Sequence, residues 1–148
     1  RDVVPGRGRR VSHPAGPDRA SLVASARDAM ARAYAPYSGF RVGAALAADD
    51  GRVFVGCNVE NAAYPAGMCA ERGAVAAAVA QGARRFSAIV IATEAEQPTP
   101  PCGVCRQVLV EFGPALEVVS VASGGATARW DLRALLPAPF TPDALARA

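Results

Sequence analysis

The chain of 148 residues contains no lysine, which excludes Schiff-base chemistry and the lysine of a phosphate-binding loop. It has a single histidine, His13, set in an N-terminal stretch of Arg, Gly and Pro, so a Ser-His-Asp or Cys-His unit lacks its base. Aromatic residues make up only 6% against 51% hydrophobic residues, so the expected core is built of Ala and Val. No uninterrupted apolar run approaches the ~20 residues of a membrane span. The first residues also lack the apolar block of a secretory signal. A soluble cytoplasmic protein with no membrane partner is expected, and four cysteines in that setting read as metal ligands or reduced thiols rather than disulfides.

The net charge of +3 lies entirely in residues 1–17, where four Arg face one Asp; the rest holds 12 Arg and 12 acids. A balanced body lacks the concentrated basic face by which proteins follow a phosphate backbone, so nucleic acid is not an expected partner. Residues 1–17 are too poor in apolar side chains to offset the entropy of ordering and are expected to form a flexible arm, with one domain over 18–148.

Along that domain, Leu22, Ala26, Ala29, Met30 and Ala33 recur on one face of a helix expected from Asp18 to about Tyr34, stopped by Pro36. Residues 40–48 and 52–57 read as strands around Asp49-Asp50-Gly51, a hairpin. A loop over 58–68 precedes a helix expected over 69–81, with Gly82 as its cap. The apolar run 86–93 has the pattern of a strand covered on both faces. A proline-rich turn leads to a helix over 103–112, two further strands at 116–121 and 126–130, and a helical turn at 131–136. The order predicts an α/β fold, a five-stranded sheet covered by helices on its faces.

Two segments carry chemistry. Cys69-Ala70-Glu71-Arg72 opens one helix, and Pro101-Cys102-Gly103-Val104-Cys105-Arg106 opens another about thirty residues later. Three thiolates fill three corners of a tetrahedral zinc and leave the fourth for water, as in a catalytic site. Glu71, two residues after the first ligand, is placed to move protons at that water; its competing reading is an ordinary acid favoured by the helix dipole. Three anionic sulfurs should weaken zinc as a Lewis acid unless charge is drawn off them. Arg72 and Arg106, each adjacent to the motif, are the candidates, against a reading of both as solvent-exposed first-turn arginines. Cys57 is separated from Cys69 by an 11-residue gap, outside the short-knuckle spacing of structural zinc, and reads as a buried strand cysteine.

Cys-x-Glu followed by Pro-Cys-x-x-Cys is the three-cysteine form of the zinc signature of nucleobase deaminases. With the blocks Ala35-Pro36-Tyr37-Ser38-Gly39-Phe40-Arg41-Val42-Gly43-Ala44, Gly56-Cys57-Asn58-Val59-Glu60-Asn61-Ala62-Ala63-Tyr64 and Leu135-Leu136-Pro137, then Phe140, the chain resembles the small homotetrameric three-cysteine cytidine deaminases from roughly Ala31 to Leu145. The resemblance implies a three-layer α/β/α fold with a mixed five-stranded sheet, one Zn²⁺ per subunit on Cys69, Cys102 and Cys105, and Glu71 as proton shuttle. It further implies ribose binding by Asn58 and Glu60, and a pocket formed by Phe40, Tyr64 and the backbone at Ala70. Phe140 is implied to reach the base from a neighbouring subunit, so that the tetramer shares its active sites; the competing reading of both phenylalanines is that of core aromatics. Gly73 departs from the family pattern, where threonine or another small residue is common. Glycine there costs about 1 kcal/mol relative to alanine, and tight packing is the expected reason.

The activity implied is hydrolytic deamination of cytidine and 2′-deoxycytidine to the uridines with release of ammonia, in pyrimidine salvage. Deamination of a cytosine-nucleoside antibiotic of the blasticidin S type, or of another modified cytosine nucleoside, is the alternative, and Asn58, Glu60 and Phe140 argue for the plain nucleoside. A polynucleotide editor using the basic arm and a non-catalytic zinc module are the remaining readings. The balanced body weighs against the first and Glu71 against the second.

Overall fold

The computed structural model describes residues 16–145; the arm expected over 1–17 and His13 fall almost wholly outside them. Helix α1 (Arg19–Met30) begins at Asp18, whose carboxylate accepts from the Ser21 N–H at 2.8 Å, an N-cap that satisfies an orphan donor of the first turn. It ends four residues before the expected Tyr34. The Tyr34 N–H donates to Asn58 O at 3.0 Å and Tyr34 O accepts from the Glu60 N–H at 2.8 Å, so a long-range bridge pulls the chain out of the helix.

Strands β1 (Val42–Ala48) and β2 (Val53–Cys57) form the expected hairpin, with Gly51 at φ 89°. They are followed by α2 (Ala70–Ala80), β3 (Phe86–Thr93), α3 (Gly103–Phe112), β4 (Glu117–Val121), β5 (Thr127–Asp131) and the short α4 (Leu132–Leu135). The sheet order is β2-β1-β3-β4-β5, with β3 and β4 parallel and every other pair antiparallel. This is the mixed five-stranded sheet that the resemblance implied.

The central strands β1, β3 and β4 are buried on both faces, which is why they read as nearly continuous apolar runs. Ala45, Ala47, Val90, Ala92, Val119 and Val121 pack under α1. Ala44, Leu46, Ile89, Ile91 and Val118 face α2, α3 and α4 on the other side. The layers approach very closely at two glycines. A Cβ on Gly43 would stand 2.0 Å from Ala26 O of α1, and one on Gly56 would stand 2.3 Å from Ala70 O of α2. At Gly73, by contrast, an added Cβ would meet nothing nearer than Gly56 Cα at 3.6 Å, an ordinary contact. The close approach expected at Gly73 belongs to its neighbour across the interface, Gly56, which sets α2 against β2 and fixes where Cys69 emerges.

Candidate active site

Two helix N-termini meet beyond the carboxyl end of β3, the usual place for a site in an α/β sheet. Cys69 is the N-cap of α2 and Cys102 the N-cap of α3, each with extended backbone and neither side chain spent on capping, so both sulfurs are free to turn toward one another. Cys105 lies one turn further along α3 and is fully buried. The three Sγ atoms lie within 4.8 Å of one another, and Cys69 and Cys102 are 3.8 Å apart. Tetrahedral zinc with bonds of about 2.3 Å sets its sulfurs about 3.8 Å apart. The donor set and spacing therefore fit one zinc ion, and Cys57 is not part of the cluster.

The two helix dipoles favour charge on these sulfurs. Cys69 carries it: hydrogen bonding from the Cys105 thiol and the nearby Arg72 guanidinium hold its pKa well below the thiol range. Cys105, as the donor in that pair and by burial, is pushed up. Arg72 Nη2 bonds Gly67 O at 3.0 Å and reaches Cys69 Sγ at 4.0 Å, while its Nε is buried with no hydrogen-bond partner among the described residues. Arg72 thus faces the thiolates as expected. Arg106 does not: Nε donates to Pro101 O at 2.8 Å and Nη1 to Leu135 O at 2.9 Å, so it ties the metal loop to the end of α4 instead of neutralising a sulfur. The sequence reading of Arg106 as a thiolate partner is corrected accordingly.

Glu71, in the first turn of α2, is 5% exposed and faces the same cavity as Cys69 and Cys102. Burial raises its pKa above the carboxylate range. The cavity, about 270 Å³, is completed by Phe40, Asn58, Glu60 and Ala70, all expected there, and by Ser38, Val42, Ile91, Thr93, Thr99 and Pro100, which the sequence reading did not single out. Ile91 and Thr93 alternate onto the α2 side of β3, a placement visible only once the face of the strand is known.

A pair of backbone hydrogen bonds between Val59 and Met68, both 2.9 Å, closes the loop and sets Asn58 and Glu60 beside Cys69. Asn58 Oδ1 accepts from the Val42 N–H at 2.8 Å and its Nδ2 donates to Phe40 O at 2.8 Å, leaving one amide hydrogen for a ligand. Glu60 accepts from the N–H groups of Tyr37 at 2.9 Å and Ser38 at 3.2 Å and from the Ser38 hydroxyl, and that hydroxyl first among them holds its pKa below the usual range. Tyr64 is not in this cavity. It stands edge-on to Tyr37, ring centroids 6.1 Å apart, in an adjoining hollow of about 340 Å³ that shares Ser38 and Glu60. Phe140 is 61% exposed and does not line its own chain's cavity.

A mixed sheet between helix layers, carrying three clustered cysteine sulfurs at two helix N-termini and a buried glutamate beside them, defines a zinc-binding hydrolase type of α/β protein. The profile described as "Cytidine and deoxycytidylate deaminase zinc-binding region" matches residues 18–122, and the chain belongs to that family, in its three-cysteine form. It is 42% identical over 132 residues to the cytidine deaminase of Sporosarcina psychrophila, covering 88% of this chain and 97% of that one. The crystal structure of cytidine deaminase from Burkholderia pseudomallei superposes with a TM-score of 0.80 at 48% identity, over 83% of this chain and 99% of the other. That of Mycobacterium tuberculosis gives 0.73 at 41% identity, over 84% and 98%.

Proposed function

We propose that this protein catalyses the hydrolytic deamination of cytidine and 2′-deoxycytidine to uridine and 2′-deoxyuridine, releasing ammonia. The observation that carries the reading is a single cavity lined by Cys69, Cys102 and Glu71 together with Asn58 and Glu60. Bound to Cys69, Cys102 and Cys105, zinc supplies Lewis-acid activation of a water at neutral pH. Glu71 would take one proton from the attacking water and place it on N3 as the C4–O bond forms, then take the second proton from the oxygen now on C4 and deliver it to the amine as the C4–N4 bond breaks and ammonia leaves. Asn58 and Glu60 fix the sugar, with Glu60 accepting from a ribose hydroxyl, and Phe40 with Val42 and Ile91 excludes water around the base.

We infer further a homotetramer that shares its active sites, each completed by Phe140 of a neighbouring copy, acting in the cytoplasm in pyrimidine salvage. Tyr34, Val55, Val59, Tyr64 and Met68, all exposed on the single chain, support self-association. No helix among the described residues is long and apolar enough to cross a membrane. A panel of cytidine, deoxycytidine, a blasticidin-type nucleoside and a single-stranded oligonucleotide tests the reading. Ammonia and loss of cytidine absorbance are expected from the first two; activity confined to the third or fourth would replace it.

A further inference from the structure

Gln107, two residues past the last cysteine on α3, makes a two-point contact with the backbone of a residue 33 positions away: Nε2 donates to Phe140 O at 2.8 Å and Oε1 accepts from the Phe140 N–H at 3.2 Å. One side-chain amide thus satisfies both polar groups of one residue, as a strand partner does. The segment so held is stiff. Arg106 Nη1 grips Leu135 O at its start, and Pro137 and Pro139 fix their own φ and restrict the residues before them. What the clamp presents is an aromatic ring that its own chain leaves 61% exposed.

We propose that Gln107 is a positioning residue for substrate binding: by fixing the Phe140 backbone to the helix that carries Cys102 and Cys105, it holds the ring in the attitude needed to close the base pocket of a neighbouring copy. This rests on the reading of Phe140 as a shared-site residue. Because Gln107 itself is absent from the cavity lining, its effect passes through Phe140. Truncating it leaves the zinc ligands and Glu71 in place and lets the segment swing.

The test is a double-mutant cycle on zinc-loaded protein, with KM and kcat for cytidine, zinc content and oligomeric mass measured for Gln107→Ala, Phe140→Ala and the double variant. Losing two hydrogen bonds is expected to raise KM roughly tenfold, with kcat within about threefold and one zinc per chain. Phe140→Ala should raise KM at least as much, and adding Gln107→Ala to it should raise KM no further. Gln107→Glu, which keeps the acceptor and loses the donor, should fall between, and it carries the comparison if the alanine variant does not fold. Unchanged KM in Gln107→Ala while Phe140→Ala is impaired, or single effects that multiply in the double variant, would overturn the positioning role alone. Unchanged KM in Phe140→Ala would overturn the shared-site reading beneath it.

Discussion

Arg72 and Arg106 stand in nearly the same relation to the metal cysteines in sequence, yet the fold uses them for different ends. Arg72 follows Glu71 on α2, and its guanidinium reaches Cys69 Sγ and Gly67 O with one nitrogen buried and unpartnered. Arg106 follows Cys105 on α3, and its guanidinium turns away to the carbonyls of Pro101 and Leu135. Adjacency in sequence places the Cα of a long side chain; what lies around the helix decides where its charged end goes. At α2 the guanidinium is held by one carbonyl at 3.0 Å with a sulfur within reach at 4.0 Å, whereas at α3 two carbonyls hold it and it makes no bond to a sulfur. Of the two arginines, only Arg72 stands within reach of a metal-site sulfur, while α3 carries two of the cysteines and also ties down the C-terminal segment.

Substituting the two arginines should separate these roles. Arg72→Ala is expected to lower zinc affinity or turnover by about 10- to 100-fold, the range for losing a partner of a metal ligand, and a competitive chelator titration with parallel kinetics measures it. Arg106→Ala should leave zinc affinity close to that of the wild type and instead destabilise the fold by about 2 kcal/mol, the loss of two charge-assisted bonds, seen in urea unfolding of the apoprotein. Equal effects of the two variants on zinc affinity would erase the contrast. The smallest effect is expected at Gly73, next to Arg72 on α2. Gly73→Ala has room for its methyl and should stabilise the protein by about 1 kcal/mol, raising Tm by about 3 °C in a thermal scan.

Much of this was legible in the chain. The apolar run of β3 and the Gly51 hairpin have local causes, and the thiolates sit at helix starts that their flanking residues announce. Asn58 and Glu60 were found through the family motif, and the structure brings them to the cavity by the Val59–Met68 bridge. What stayed hidden depends on distant partners. The end of α1 is set by the pairing of Tyr34 with residues 58–60, which no helical periodicity contains. The destination of Arg106 needs the position of Leu135, and the close contact expected at Gly73 is made at Gly56. Thr93 and Thr99 line the cavity through the face of β3 and the path of the proline-rich turn, neither of which local sequence displays.

The central claim, that Glu71 moves the protons of a deamination beside a three-thiolate zinc, is tested most directly by Glu71→Gln, with zinc content and cytidine turnover measured on the same preparation. Glutamine preserves size and cannot accept the water's proton, so one zinc per chain with turnover reduced at least about 100-fold is expected. Wild-type turnover by the zinc-loaded variant would contradict the account.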